Sequence, residues 1–153
     1  MEQASLQTDK PSLTLFRKFP VAPEKVWRAW TEPQALKQWF GPDGQQQPVS
    51  VADVDVRVGG RFRLVFGGPD GNEHEAAGVY KEVQLHRKLV FTWCWPRTTP
   101  DRISQITILL RPEGKGTDME FRHEQFFDQA ARDGHERGWT ATFGKLEAFL
   151  RQG

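Results

Sequence analysis

One change of period near the end of this chain constrains its fold more than any other feature. From Asp128 to about Arg151, His135, Gly138, Trp139, Thr142, Leu146, Phe149 and Leu150 fall on a single helical stripe. Arg132, Glu136, Lys145 and Glu147 occupy the opposite face, and Asp133–Arg137 and Glu147–Arg151 have i,i+4 spacing. Asp128 suits the N-cap, where a side-chain oxygen can accept from a free backbone N–H. Such a helix would be ~35 Å long at ~1.5 Å per residue, enough to cross a whole small domain. Its stripe needs a partner surface, and the sequence upstream supplies mostly strands.

The first strand spans about Ser12–Phe19, with Leu13, Leu15, Arg17 and Phe19 on one face. Two short helices follow, opened by Pro23 and Pro33 at positions where a missing N–H costs nothing. Gly41 is a candidate left-handed cap of the second, and Pro42 its stop. From about Val49 the period is two. Val54, Val56 and Val58 alternate with Asp53, Asp55 and Arg57, then Gly59-Gly60 makes a bend, and Phe62, Leu64 and Phe66 alternate with Arg61, Arg63 and Val65. Asp70-Gly71 and Glu113–Gly116 read as tight hairpins. Further strands are expected at about Glu75–Val83, Lys88–Trp95, Ile103–Arg111 and Thr117–Glu124. The fold class is therefore α+β: a curved antiparallel sheet of about six to seven strands wrapped around a long C-terminal helix, with two short helices after the first strand. Residues 1–11 read as a polar lead-in and 12–153 as a single domain.

Composition narrows the function. A net charge of +1 gives no general pull toward nucleic acid or anionic membrane. Cys94 is the only cysteine, so no intrachain disulfide forms and no cysteine-rich zinc site exists. The N-terminus has no apolar run of a secretory signal, and nothing approaches a membrane span, which makes the cytoplasm the expected compartment. Six Trp and eleven Phe are many for 153 residues. Rings in that number either fill a core or line a hollow.

The words FPVAPEKVWRAWTEPQALKQWFGP (19–42), DVRVGGRFRLVF (55–66), GVYKEV (78–83), KLVFTW (88–93) and FFDQAARDGHERGWTATFGKLEAFL (126–150) carry a resemblance. The chain resembles the START-like superfamily, and within it the branch named after the activator of the ninety-kilodalton heat-shock chaperone's ATPase. The resemblance covers about Leu13 to Leu150. It implies a helix-grip fold and a cavity for an apolar small molecule. Members of the superfamily include lipid carriers, hormone receptors, aromatic-polyketide cyclases and co-chaperone domains, and fold does not choose among them. The co-chaperone's stimulating part includes a separate N-terminal domain, which is not expected in these 153 residues.

With that cavity in view, candidate wall residues follow from the alternation. Trp93 and Trp95 share a face with Leu89 and Phe91. Phe62 and Phe66 share another with Leu64. Phe121 and His123 share one on the last strand, and His135, Trp139 and Phe143 lie on or beside the helix stripe. The same rings also satisfy plain core packing. A buried imidazole at His123 or His135 can orient a ligand or move a proton. Alternatively, each hydrogen-bonds backbone where the last loop meets the helix. His74 and His86 read as loop residues. No His pair has zinc-helix spacing, and no serine sits in a G-x-S-x-G turn. Cys94 points away from Trp93 and Trp95 and reads as an inert thiol. The Gly59-Gly60 and Gly67-Gly68 pairs lack phosphate-loop spacing.

The resulting expectation is a binding module that holds a hydrophobic or aromatic small molecule, with no metal, no cofactor and no nucleic acid. Two other readings stand beside it: an enzyme of cyclase or hydrolase type using a cavity histidine as base, and a co-chaperone-like domain that binds a protein partner. Exposed apolar residues on a sheet edge or the small helices would suit a homodimer.

Overall fold

The computed structural model describes residues 10–41, 49–68 and 70–152. Most of the polar lead-in, Pro42 and Pro69 lie outside the described residues. In chain order the elements are β1 (Leu13–Phe19), α1 (Pro23–Thr31), α2 (Pro33–Trp39), β2 (Val51–Val54), β3 (Arg61–Gly67), β4 (Glu73–Gln84), β5 (Lys88–Trp95), β6 (Thr99–Glu113), β7 (Gly116–Glu124) and α3 (Gln129–Arg151). The seven strands form one antiparallel sheet in the order β1-β7-β6-β5-β4-β3-β2. The chain thus starts at one edge, crosses through α1 and α2 to the other, and returns strand by strand to pair β7 with β1.

Local chemistry sets the boundaries. Pro23 and Pro33 each stand in the first turn of their helices. Glu32, held extended by the proline after it, separates the two helices. Gly41 follows α2 with φ +112°, as a left-handed cap requires. Asp128 caps α3, its Oδ1 accepting from the Ala131 N–H at 2.9 Å. At the hairpins, Gly71 has φ +82° and Gly114 φ +59°.

One expected strand is cut short. The alternation of Val54, Val56 and Val58 suggests pairing through Val58, yet β2 ends at Val54 and Val58 is 65% exposed. The Arg57 N–H donates to the Asp55 carbonyl at 2.9 Å and the Gly60 N–H to the Arg57 carbonyl at 2.8 Å, so the chain turns early. A Cβ at Gly60 would lie 1.9 Å from the Asp55 carbonyl oxygen, which reserves this turn for glycine. Elsewhere the register shifts between Tyr80 and Glu82 and again between Trp93 and Trp95. Such irregularities bend strands and increase twist, which curls the sheet toward α3.

The core lies between the concave face of the sheet, the α1–α2 pair and α3. Leu13 of β1 stands opposite His123 of β7, which stands opposite Ile106 of β6. Trp30 joins the layers: its ring lies 4.8 Å from Trp39, 6.1 Å from Phe121 and 6.1 Å from Phe143, centroid to centroid. The Trp39 indole N–H donates to the Ala29 carbonyl at 2.9 Å, locking α2 on α1. Of the ion pairs read from the helix spacing, Glu147–Arg151 forms at 2.7 Å. Asp133 instead binds Arg132 at 3.0 Å and Gln129 at 2.9 Å.

Candidate functional site

Along one stripe, the N-terminal half of α3 does not close on the sheet. A cavity of about 560 Å³ separates them. Phe66 of β3, His74 of β4 and Trp93 and Trp95 of β5 border it from the sheet, and Phe40 and Gly41 border it after α2. Ala130, Ala131, Gly134, His135, Gly138, Trp139 and Thr142 border it from the helix. Ala130, Gly134, Gly138 and Thr142 recur every four residues, so one helix stripe carries only small side chains toward the space. Glycine inside a helix costs roughly 0.5–1 kcal/mol relative to alanine. No close approach requires it at position 138, where a Cβ would meet nothing within 4 Å. The missing side chain leaves space open.

The rings around the cavity are fixed by one another and by hydrogen bonds. Phe40 lies 5.3 Å from Phe66 and 6.0 Å from Trp139, and Trp93 lies 5.2 Å from Trp139 and 5.4 Å from Trp95. The Trp95 indole N–H donates to His135 Nε2 at 3.1 Å. That nitrogen is therefore an acceptor, the imidazole proton sits on Nδ1, and it donates to the Ala131 carbonyl at 2.8 Å. The Trp139 indole N–H donates to His123 Nδ1 at 3.1 Å. His123 then carries its proton on Nε2 and donates to Ser104 Oγ at 2.7 Å, and the Ser104 hydroxyl donates to the Trp93 carbonyl at 3.3 Å. Burial holds His123 well below the usual histidine range, with the nearby His135 adding to the effect, and burial also lowers His135. Both rings are neutral acceptors for indoles.

Trp93 differs from its neighbours. Its indole N–H is buried and has no hydrogen-bond partner, and the same holds for Trp30. At the cavity end, Thr142 donates to the Gly41 carbonyl at 2.8 Å and Lys145 at 3.1 Å, which ties the chain after α2 to α3. Among the described residues, no Asp, Glu, Lys or Arg borders the cavity. Among the described residues, no three His, Cys, Asp or Glu side chains are grouped to hold a metal, and no helix is long and apolar enough to cross a membrane.

The residues singled out from sequence divide into groups. Phe66, Trp93, Trp95, His135 and Trp139 border the cavity. Phe62 instead borders an inner chamber of about 20 Å³, together with Trp30, Tyr80 and Trp93. Phe121, His123 and Phe143 are 0% exposed and do not line the main cavity. His123 lies behind the wall, hydrogen-bonded to Trp139 and with its ring 5.1 Å from His135 and 6.0 Å from Trp93. His74, expected in a loop, lies on β4 opposite Phe66, borders the cavity and sits 3.3 Å from Asp70. His86 does lie at a turn, with φ +64°. Phe40, Gly41 and the small-residue stripe of α3 also border the cavity, and hydrophobic periodicity does not single them out. The i,i+4 glycines Gly134 and Gly138 were their one visible signal.

A seven-stranded sheet curled over a long C-terminal helix, with an aromatic cavity between them, defines a helix-grip domain. The chain belongs to the family described as activator of Hsp90 ATPase homolog 1-like protein, whose model matches residues 20–151. It is similar to an AHSA1 protein from Silicibacter pomeroyi (29% identity, 93% of this chain and 99% of that one, TM-score 0.80). Proteins from Nitrosomonas europaea (30% identity, 92% and 94%, TM-score 0.77) and Chromobacterium violaceum (27% identity, 91% and 96%, TM-score 0.78) are also similar. No curated protein matches the chain.

Proposed function

We propose that this protein binds a neutral hydrophobic or aromatic small molecule between the sheet and the N-terminal half of α3, as a carrier, protector or sensor. The observation that carries this reading is the cavity of about 560 Å³, walled by Phe40, Phe66, Trp93, Trp95 and Trp139 and bordered, among the described residues, by no Asp, Glu, Lys or Arg side chain. Small-molecule sites have this size and lining. A charged ligand would lose its hydration there without a countercharge, so a neutral one is favoured. Apolar burial at roughly 25 cal/mol per Å² allows micromolar affinity before the costs of association are subtracted.

The histidines support binding over catalysis. A general base needs a free lone pair within reach of the proton it abstracts. At both His123 and His135 that lone pair is occupied by an indole N–H. Their role in this reading is to orient Trp139 and Trp95.

Native mass spectrometry of the purified protein, followed by solvent extraction, tests the proposal. A stoichiometric, neutral apolar adduct is the expected result. A clean apo mass that persists through a thermal-shift screen of lipids and aromatic metabolites would overturn it.

A further inference from the structure

One histidine at the cavity stands apart from the two that serve the indoles. His74 of β4 borders the cavity together with Phe66 and Gly68, and its side chain is 38% exposed. Its Nε2 lies 3.3 Å from Asp70 Oδ1. Hydrogen bonds from the Asn72 N–H and from His74 hold Asp70 below the usual carboxylate range. A carboxylate only accepts, so the imidazole proton sits on Nε2 and is donated to Asp70. A Cβ at Gly68 would lie 2.7 Å from His74 Nε2 and 2.9 Å from Asp70 Oδ1, so this glycine makes the room in which the pair forms. Nδ1 is then an unprotonated acceptor, with no hydrogen-bond partner among the described residues.

The other polar side chains of the wall are engaged, closed off or unselective. Both nitrogens of His135 are bonded, and the Trp95 and Trp139 N–H groups each serve a histidine. The Trp93 N–H is buried away from any water-sized group. Thr142 is 4% exposed and donates to the Gly41 carbonyl. Tyr80 borders the inner chamber and not this cavity. The Thr98 hydroxyl, in the exposed turn between β5 and β6, can both donate and accept and so selects no ligand chemistry. Among these side chains, His74 alone offers a free acceptor that does not also donate.

We propose that His74 is the polar contact of the cavity, its Nδ1 accepting a hydrogen bond from a hydroxyl on the ligand's aromatic ring. The ligand class is then a neutral phenol, with its hydroxyl at the β3–β4 hairpin and its rings among Phe66, Trp93 and Trp95. Asp70, which does not border the cavity, is a positioning residue that fixes the imidazole tautomer. The assignment rests on the cavity-binding reading above and adds one hydroxyl to it.

The probe pair is β-naphthol and β-methylnaphthalene, which share a skeleton and exchange a hydroxyl for a methyl. His74→Phe keeps a ring and removes the acceptor. In NMR titrations of the full chain, this variant should shift the ratio of the two affinities about fivefold or more against naphthol, the worth of one hydrogen bond. A second readout needs no variant. In the wild-type ¹⁵N-histidine spectrum at about pH 8, where an ordinary imidazole is neutral, the unprotonated nitrogen of His74 should be Nδ1. Its signal should move upfield with β-naphthol, and far less with β-methylnaphthalene.

An affinity ratio unchanged in His74→Phe, a proton found on Nδ1, or a His74 signal that responds equally to both compounds would each overturn the assignment. Continued binding of β-methylnaphthalene in those cases leaves the apolar cavity reading intact. Binding of neither compound would overturn the assignment together with the cavity's capacity for aromatic guests.

Discussion

The two halves of α3 face the same sheet and bring different things to it. The C-terminal half presents Phe143, Leu146 and Leu150, all 0% exposed, and the Phe143 ring packs 6.1 Å from Trp30 and 5.0 Å from Phe121. The N-terminal half presents Ala130, Gly134 and Gly138 to a cavity, while His135 and Trp139 on the adjoining stripe reach the sheet at Trp95 and His123. One helix therefore works as a core element at one end and as a cavity wall at the other. The difference lies in side-chain volume along a four-residue repeat, since the helix itself is continuous over 23 residues. Stability is concentrated where the volume is filled, and the capacity to bind is concentrated where it is not.

The largest effect should come from emptying the filled half. Phe143→Ala is expected to destabilise the fold by about 3–5 kcal/mol in urea unfolding, from lost burial and the void left behind. A cost below about 1 kcal/mol would mean the C-terminal half is no better packed than the N-terminal half.

The imidazoles of His123 on β7 and His135 in the N-terminal half of α3 can be probed by pH. His123 and His135 are both held below the ordinary range by burial. As pH falls, the unfolded chain takes up protons before the folded one does. The stability they contribute is complete above about pH 6.5 and is lost as pH drops toward their depressed folded values, by up to about 1.4 kcal/mol per pH unit per histidine. Urea unfolding between about pH 7.5 and 5.5 should show this loss, with a shallower slope in His123→Asn. An unchanged slope in that variant would assign the titration to other groups.

Filling the open half should affect stability least. Gly138→Ala is expected to stabilise by about 0.5–1 kcal/mol, because the added Cβ meets nothing and the unfolded chain loses freedom. Gly138→Phe should keep a cooperative fold but lower the affinity for any cavity ligand by roughly tenfold or more, since its ring takes the ligand's place. Full binding by Gly138→Phe would move the site away from this half of the helix.

Much of the architecture could be read from local rules. Proline at Pro23 and Pro33, the Asp128 cap and the glycine hairpins each act through nearby backbone. The strands and the long helix announced themselves by period two and period 3.6. The short β2 is an instructive exception. Val56 and Val58 continue the alternation, but the turn that closes on Asp55 depends on glycine's lack of a Cβ, which an alternation pattern does not register.

The site was only half legible. Alternation put Trp93, Trp95 and Phe66 on inward faces, and the helix stripe did the same for His135 and Trp139. Facing inward is common to wall and core, so Phe121, His123 and Phe143 looked equivalent to them. His74 and Phe40 reach the cavity through strand pairing and helix docking, which join positions far apart in the chain.

What the sequence by itself determined is which residues turn inward, where each element begins and ends, and that one long helix must find a sheet, because these follow from backbone geometry and hydrophobic periodicity over a few residues. Only the tertiary structure decided which inward rings meet and which stand apart, which indoles find a histidine, and that Trp93 finds none, because volume and hydrogen-bond pairing are settled by every layer of the fold at once.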